Sequence, residues 1–339
     1  MSRKILFVTP PYHCGVVEVA GTWPPLGLVY LGTQAKLAGW DVEIYDAMSL
    51  RDDHAKIEKR LRASEFDVVA TTAITPTFPD ANELLATAKR VKPECVTLIG
   101  GVHPSFMAAE VLQAPDSAVD YVIAGEGEGP MRRFCEDFDD LEARHRVPNL
   151  CFVEDGRMRA NPRLPLIPDL DLIELDHSLL DWSIYKYFVV DDGKLGAVDT
   201  SRGCSHECTF CSQQIFWNKS WRARQPEAVV ADICRLHDDH GINVVLLTDE
   251  YPTLERDRGE DIVRDRDILP RYREAGIIHV YVGAGATDQE TLDRINKKLE
   301  VDETKLAIDL IREHGMVSET SFVLGFPEET RESIERTFR

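Results

Sequence analysis

Three cysteines fall within eight residues, Cys204, Cys208 and Cys211, in the run SerArgGlyCysSerHisGluCysThrPheCysSer over 201–212. A loop with Cys-x3-Cys-x2-Cys spacing can wrap three thiolates around one face of an iron-sulfur cube. Three ligands leave one iron open, and an open iron can accept a small chelating molecule. The competing chemistry is a structural zinc site with His206 as fourth ligand, since such sites are four-coordinate. Eight cysteines in 339 residues are too sparse for a disulfide scaffold. The other five, Cys14, Cys95, Cys135, Cys151 and Cys234, are scattered and read as small apolar residues.

The elements that must position this loop read as α/β. The first part of the chain alternates short β-rich apolar runs with helical periodicity, the pattern of a parallel sheet covered by helices. Strands are predicted at Lys4–Thr9, Asp41–Asp46, Asp67–Thr72, Val96–Gly100 and Tyr121–Ala124. Helices are predicted at Leu26–Ala38, Asp53–Ala63, Asp80–Val91, Ser105–Leu112 and Pro130–Phe138. This describes a Rossmann-like domain over 1–147, whose ligands bind outside the carboxyl ends of the strands. Prolines at 148, 162, 165 and 168 mark a linker over 148–192 with few regular elements. The alternation resumes in a second domain over 193–339, with strands at Gly196–Ser201, Val244–Thr248, His279–Gly283 and Ser321–Gly325.

The strand ends of the first domain carry Tyr12, Thr72, the pair Gly100 and Gly101, His103, and the run Gly125, Glu126, Gly127. Glycines there allow backbone to approach a ligand closely, and they serve tight turns equally well. No GxGxxG follows the first strand, so a dinucleotide site is poorly supported. The net charge of −20 disfavours phosphate backbones, so no nucleic-acid partner is expected. No run reaches the ~18 apolar residues of a membrane span, and no signal peptide opens the chain, which reads as cytoplasmic.

The cysteine spacing, with Phe210 before the last cysteine, resembles the radical S-adenosylmethionine (SAM) superfamily. The resemblance implies that Cys204, Cys208 and Cys211 hold a 4Fe-4S cluster whose open iron binds SAM, with Phe210 near the adenine. ThrAspGluTyrProThr (248–253) resembles the acidic strand end of cobalamin-dependent members, which points to Asp249 and Glu250. SerPheValLeuGlyPheProGluGluThr (321–330) resembles the late barrel strand whose turn, here Gly325 and Pro327, approaches the SAM adenosine. With such a barrel, GlyGlyValHisPro and GlyGluGlyGlu make the first domain resemble the cobalamin-binding domain of the B12-binding radical SAM family. The strand-end residues would then face a corrinoid. The Asp-x-His-x-x-Gly motif of other B12 proteins is absent, so the lower axial ligand of cobalt stays open, and His103 reads better as a loop-structuring residue.

Further stretches, among them AlaGlyThrTrpProPro (20–25), TyrAspAlaMet (45–48) and ArgAspArgAspIleLeu (264–269), are similar to the anaerobic magnesium-protoporphyrin IX monomethyl ester oxidative cyclases of bacteriochlorophyll biosynthesis. This implies a magnesium tetrapyrrole as substrate and an electron donor such as flavodoxin or ferredoxin. Trp182, Tyr185, Tyr187, Phe188, Phe216, Trp217 and Trp221 could face the flat macrocycle or fill core. A cobalamin-dependent radical SAM methyltransferase has the same parts and is the alternative. The chain departs from the family twice. Gly285 stands where a SAM-contacting glutamate is usual, so weak SAM binding is expected, and Gly285→Glu is expected to restore part of the loss. Four strands stand where the partial barrel has six, so the barrel is incomplete. A catalytically dead cluster- or corrinoid-binding remnant is therefore a third reading.

Overall fold

The computed structural model describes residues 2–13, 20–251 and 262–338. The chain divides into two compact units, residues 1–200 with 222–248, and residues 201–221 with 249–339. Among the described residues no helix is long and apolar enough to cross a membrane.

In the first unit the five predicted runs form parallel strands: β1 (Lys4–Val8), β2 (Asp41–Tyr45), β3 (Val68–Thr72), β4 (Val96–Gly100) and β5 (Tyr121–Ile123). Their order is β2-β1-β3-β4-β5. Between them run α1 (Leu26–Leu37), α2 (His54–Ala63), α3 (Phe78–Val91), α4 (Val102–Phe106) and α5 (Ala108–Gln113), and α6 (Glu128–Glu136) follows β5. Both faces of β1 are buried, as a parallel sheet requires. Ile5 and Phe7 pack with Leu28 and Ala35 of α1 and with Met131 and Phe134 of α6. Leu6 and Val8 pack with Ile57 and Leu61 of α2, Leu84 and Leu85 of α3, and Val111 of α5. Because the order reverses between β1 and β3, the ends of those two strands form the switch point where doubly wound sheets bind ligands.

The segment expected as a linker begins with regular structure. After the single turn of α7 (Leu141–Arg144), β6 (Leu150–Glu154) and β7 (Arg157–Ala160) form an antiparallel hairpin that extends the sheet from β5. Its turn is Asp155-Gly156, with φ of 51° and 72°. Positive φ at both positions is the type I′ geometry that Asp-Gly favours, a signal the proline count had masked.

Next come β8 (Leu195–Val198), β9 (Ser201–Gly203), the short α8 (Gln213–Phe216), β10 (Trp221–Ala223), α9 (Pro226–His240) and β11 (Val244–Leu247). β8 and β11 pair in parallel, and both belong to the first unit. Ala197 of β8 packs on Leu26 and Tyr30 of α1, and the Tyr30 hydroxyl donates to Asp199. Arg224 donates to Asp232 at 2.6 Å and Asp171 at 3.1 Å, all largely buried.

The second unit contains α10 (Leu269–Glu274), β12 (His279–Gly285), α11 (Gln289–Arg294), α12 (Val301–Glu313), β13 (Val317–Phe322) and α13 (Arg331–Thr337). β12 and β13 are parallel and joined through α11 and α12. Val280 and Val282 face Leu269, Ile311 and Met316, while Tyr281 between them is exposed. β13 lies earlier than the predicted Ser321–Gly325 because it follows the alternating run ValSerGluThrSerPhe. Gly325 lies beyond the strand, with φ of 93°.

Candidate active site

The cysteine loop leaves β9 at Gly203, whose φ is 94° and whose Cβ, if present, would lie 2.2 Å from the Ser220 carbonyl oxygen. Only glycine fits before Cys204. Asp249 and Glu250 fasten this strand. Ser201 Oγ donates to Asp249 at 2.5 Å, Gly203 N donates to one Glu250 oxygen at 3.0 Å, and Trp217 Nε1 donates to the other at 2.9 Å. Farther along, Thr209 N donates to Ile295 O at 2.9 Å and Asn296 Nδ2 to Glu207 O at 3.1 Å. The loop is thus held at both ends and at its middle. Pro252 and Thr253 of the same motif, like Cys14, lie outside the described residues.

Cys204, Cys208 and Cys211 are free and half-buried. Burial pushes the Cys204 and Cys208 thiols up, and Lys297 opposes this at Cys208. Burial pulls the Lys297 ammonium down, and all three cysteines oppose it. The donor set is therefore three mutually close thiols that iron must deprotonate, with one cation beside them. Among the described residues no three His, Cys, Asp or Glu groups stand close enough to hold a single metal ion. Three thiolates match three corners of an iron-sulfur cube and leave its fourth iron open. The His206 ring packs edge-on against Tyr251, with centroids 5.0 Å apart.

Phe210 packs edge-to-face on Phe326 at 5.8 Å, and the Lys297 ammonium lies 5.8 Å from the Phe210 ring centre. The turn after β13 is closed by the Glu329 carboxylate, which accepts from Gly325 N at 2.5 Å and Phe326 N at 2.9 Å. Pro327, next in the chain, is exposed. Gly285 sits at a register shift in β12 with φ of 81°. A Cβ there would meet Lys297 Cδ at 2.8 Å. Any side chain at this φ is strained, and a glutamate there would have to displace the Lys297 side chain. Lys297, which sequence reasoning missed, occupies that position, and nothing in its spacing singled it out.

At the strand ends of the first unit, Thr72, Gly100, Gly101 and His103 come together. His103 N donates to Ala73 O at 3.1 Å, its Nδ1 meets Thr75 Oγ1 at 3.2 Å, and its ring lies 4.6 Å from that of Phe78. Tyr12 follows β1, with its N donating to Pro10 O at 2.8 Å. Gly125, with φ of 88°, donates to Ser105 Oγ at 2.9 Å. Several of these residues have structural tasks. Gly101, at φ 95°, has no room for a Cβ against Thr72 and Ala73, and Gly127 is close-packed on Leu31. The Glu126 side chain is 7% exposed, pairing with Arg222 at 2.9 Å and accepting from Ile167 N at 2.8 Å. A Cβ on Gly100 would make only an ordinary contact, with the Ile123 carbonyl oxygen at 3.5 Å.

Of the aromatic residues, Trp182, Tyr185, Tyr187 and Phe188 belong to the first unit and Phe216, Trp217 and Trp221 to the second. Trp182, Tyr185, Tyr187 and Trp217 are buried, and Phe188 is exposed. Their polar atoms are used internally: Trp182 Nε1 on His177 O at 2.7 Å, Tyr185 on Asp46 at 3.0 Å, and Trp221 Nε1 on Tyr251 O at 3.0 Å. This is the behaviour of core aromatics.

Residues 12–134 match the B12 binding domain, and residues 198–269 and 262–339 match the Radical SAM superfamily. An anaerobic magnesium-protoporphyrin IX monomethyl ester cyclase of Cereibacter sphaeroides is 35% identical over 99% of this chain and 59% of its own length. An uncharacterized methyltransferase of Pyrococcus horikoshii is 29% identical over 99% of this chain and 77% of its own. The chain thus spans somewhat over half the length of the cyclase. The solved radical SAM methyltransferase TsrM of Kitasatospora setae shares the fold, with a TM-score of 0.72 at 19% identity over 99% of this chain and 70% of that one. With a cluster-type cysteine loop and a doubly wound sheet that match these two domains in this order, the chain belongs to the B12-binding radical SAM family, whose cofactors are cobalamin, a 4Fe-4S cluster and SAM.

Proposed function

We propose that the chain acts as an oxidative cyclase on a magnesium tetrapyrrole, in the manner of the cyclases of bacteriochlorophyll biosynthesis. The observation that supports this reading is 35% identity to two of those cyclases, running through both matched domains, against 29% to the Pyrococcus methyltransferase. Cys204, Cys208 and Cys211 hold the cluster, and Asp249, Glu250 and Gly203 fix the strand that presents them. Phe210 and the Gly325–Pro327 turn flank the adenosine of SAM. Lys297 offers a cation to the SAM carboxylate from the space that Gly285 leaves. In the first unit Tyr12, Thr72, Gly100 and His103 line the corrinoid side, with Gly101, Gly125, Glu126 and Gly127 holding those loops in shape. When bound, the cluster supplies the electron that cleaves SAM, and the corrinoid supplies a second redox-active metal.

The test is anaerobic reconstitution with cluster, cobalamin, SAM and reductant, followed by addition of the magnesium-protoporphyrin monomethyl ester. The expected result is 5′-deoxyadenosine together with a ring-closed product that carries oxygen from isotopically labelled water. A product heavier by one methyl group would support the methyltransferase reading instead. That second reading is favoured by the 29% identity to the Pyrococcus methyltransferase over 99% of this chain. Absence of 5′-deoxyadenosine would leave the catalytically dead remnant.

A further inference from the structure

The segment after α11 brings one ammonium group to the cysteine loop. Ile295 O and the Asn296 side chain hold the backbone of that loop at Thr209 and Glu207. Lys297, next in the chain, stands between two residues in the left-handed region, Asn296 at φ 54° and Lys298 at φ 45°. Backbone strain of this kind persists where the surrounding structure enforces it, and it gathers at functional sites. The Lys297 side chain runs along β12 at its glycines, with Nζ 3.5 Å from where a Cβ on Gly283 would stand and 3.3 Å from where one on Gly285 would. It ends 5.8 Å from the centre of the Phe210 ring, immediately before Cys211. Among the described residues no carboxylate pairs with this half-buried ammonium, and the groups that favour its charged form are Cys208, Cys211 and Cys204. Nearby charges are taken up otherwise: Glu207 by Lys219, and Glu250 by Gly203 N and Trp217 Nε1. A partly desolvated cation is costly unless an opposite charge meets it, and three thiolates around a cluster supply that charge.

We infer that Lys297 sets the reduction potential of the cluster, its positive charge making the iron easier to reduce. This goes beyond the SAM contact given to Lys297 above and rests on the same cluster assignment. On reduction the cluster gains one electron from an external one-electron reductant, which is oxidised by one electron. No bond forms or breaks at Lys297 and no proton leaves it. The cluster with its thiolates then carries one more negative charge, so a fixed cation stabilises the reduced state more than the oxidised one. Net charge and solvent exposure are among the levers that set iron-sulfur potentials, and a charge withdrawn from water acts more strongly than an exposed one. Lys298, next in sequence but exposed, lacks that advantage.

The experiment is a mediated redox titration of the reconstituted full chain, followed by the EPR signal of the reduced cluster. SAM is left out, so the contact of Lys297 with SAM cannot contribute. Lys297→Met and Lys297→Gln are compared with Lys297→Arg, which keeps the charge, and with Lys298→Met. Iron content and visible absorption are read first. Both neutral variants are expected to keep a 4Fe-4S cluster and to move its midpoint to more negative values by about tenfold in the reduction equilibrium, which is ~59 mV for one electron. Lys297→Arg should keep most of the parent midpoint, and Lys298→Met should match it. Parent-like midpoints in both neutral variants, with clusters intact, would overturn this inference and leave the cluster assignment standing. An equal shift in Lys298→Met would overturn it too, since any cation near the loop would then serve. Loss of the cluster from both neutral variants but not from Lys297→Arg would make the charge a requirement for holding thiolates, and would replace the inference. A parent chain that takes up no 4Fe-4S cluster would overturn the cluster assignment, and this inference with it.

Discussion

The sheet of the first unit and the β12–β13 pair of the second are built from similar strands and end in similar glycine turns, but they are supported very differently. β1 has helices on both faces, and Ile5 through Val8 are fully buried. The β12–β13 pair has its apolar layer on one side, and Tyr281, Val317 and Phe322 are 63%, 49% and 40% exposed. The comparison separates two uses of the same motif. In the first unit, Gly101 and Gly127 sit where a side chain would strike neighbouring atoms, so part of what reads as a ligand loop is packing. In the second unit, Gly285 yields its space to the reactive neighbourhood itself, where Lys297 faces the cysteines.

The strongest way to break this contrast is at the cysteines. Cys208→Ala is expected to abolish a stable 4Fe-4S cluster and SAM cleavage, while Cys234→Ala, on an exposed face of α9, leaves iron content unchanged. Retention of four irons by Cys208→Ala in an anaerobic iron assay with visible absorption would undo the cluster assignment. Next is the packing contrast. Phe7→Ala should destabilise by about 3–5 kcal/mol, whereas Tyr281→Ala should stay within about 0.5 kcal/mol, both read by denaturant unfolding. Equal losses would mean that the exposed face of β12 is covered.

Third is the occupied space. Lys297→Met is expected to weaken SAM binding by about one to two powers of ten, the range of a charge-assisted hydrogen bond of ~1.5–3 kcal/mol. Gly285→Glu should not tighten it, because it adds backbone strain and a clash with the same lysine. Titration of SAM into both variants decides this, and a gain in affinity from Gly285→Glu would show that Lys297 moves aside readily.

The smallest effect is one of pH. His177 is buried against Trp182 and His240, and neither ring nitrogen has a hydrogen-bond partner. Burial pulls its pKa below the ordinary 6.5, with Asp232 and Asp176 opposing and Arg235 and His240 adding to the fall. The unfolded chain therefore takes up this proton first as pH drops. Stability should decline from about pH 6.5 downward and level off once the folded state is protonated too. His177→Phe should flatten part of that slope in unfolding measured from pH 7 to 5. An unaltered slope would assign it to His145 and His103, which burial also shifts downward.

Much of this architecture was legible because each strand of the first sheet is a short run bounded by polar residues and alternates with helical periodicity. β1 to β5 fall within a residue of their expected limits. The β6–β7 hairpin was obscured by prolines around it although Asp155-Gly156 marks its turn. β13 was displaced because the apolar run SerPheValLeuGly is more conspicuous than the polar alternation before it. The cysteine spacing announces its own chemistry, since three thiolates are useful only together. Lys297 does not, because its importance depends on the absence of a side chain twelve positions earlier and on a bulge that no local pattern encodes. The Glu126–Arg222 pair was not legible either, because the two residues lie 96 positions apart.

The path of the chain through the first unit also bears on the order of assembly. The chain leaves that unit at Thr200, returns at Arg222, and leaves again after Thr248. β8 and β11, on either side of this excursion, must pair before the unit is complete. Both ends of the cysteine segment are therefore anchored by core formation, and most of the entropy of closing that loop is lost as the core forms rather than when metal arrives. Iron loading is then a late event on a folded scaffold, and apoprotein prepared without iron should refold its first unit at the same rate as protein supplied with it.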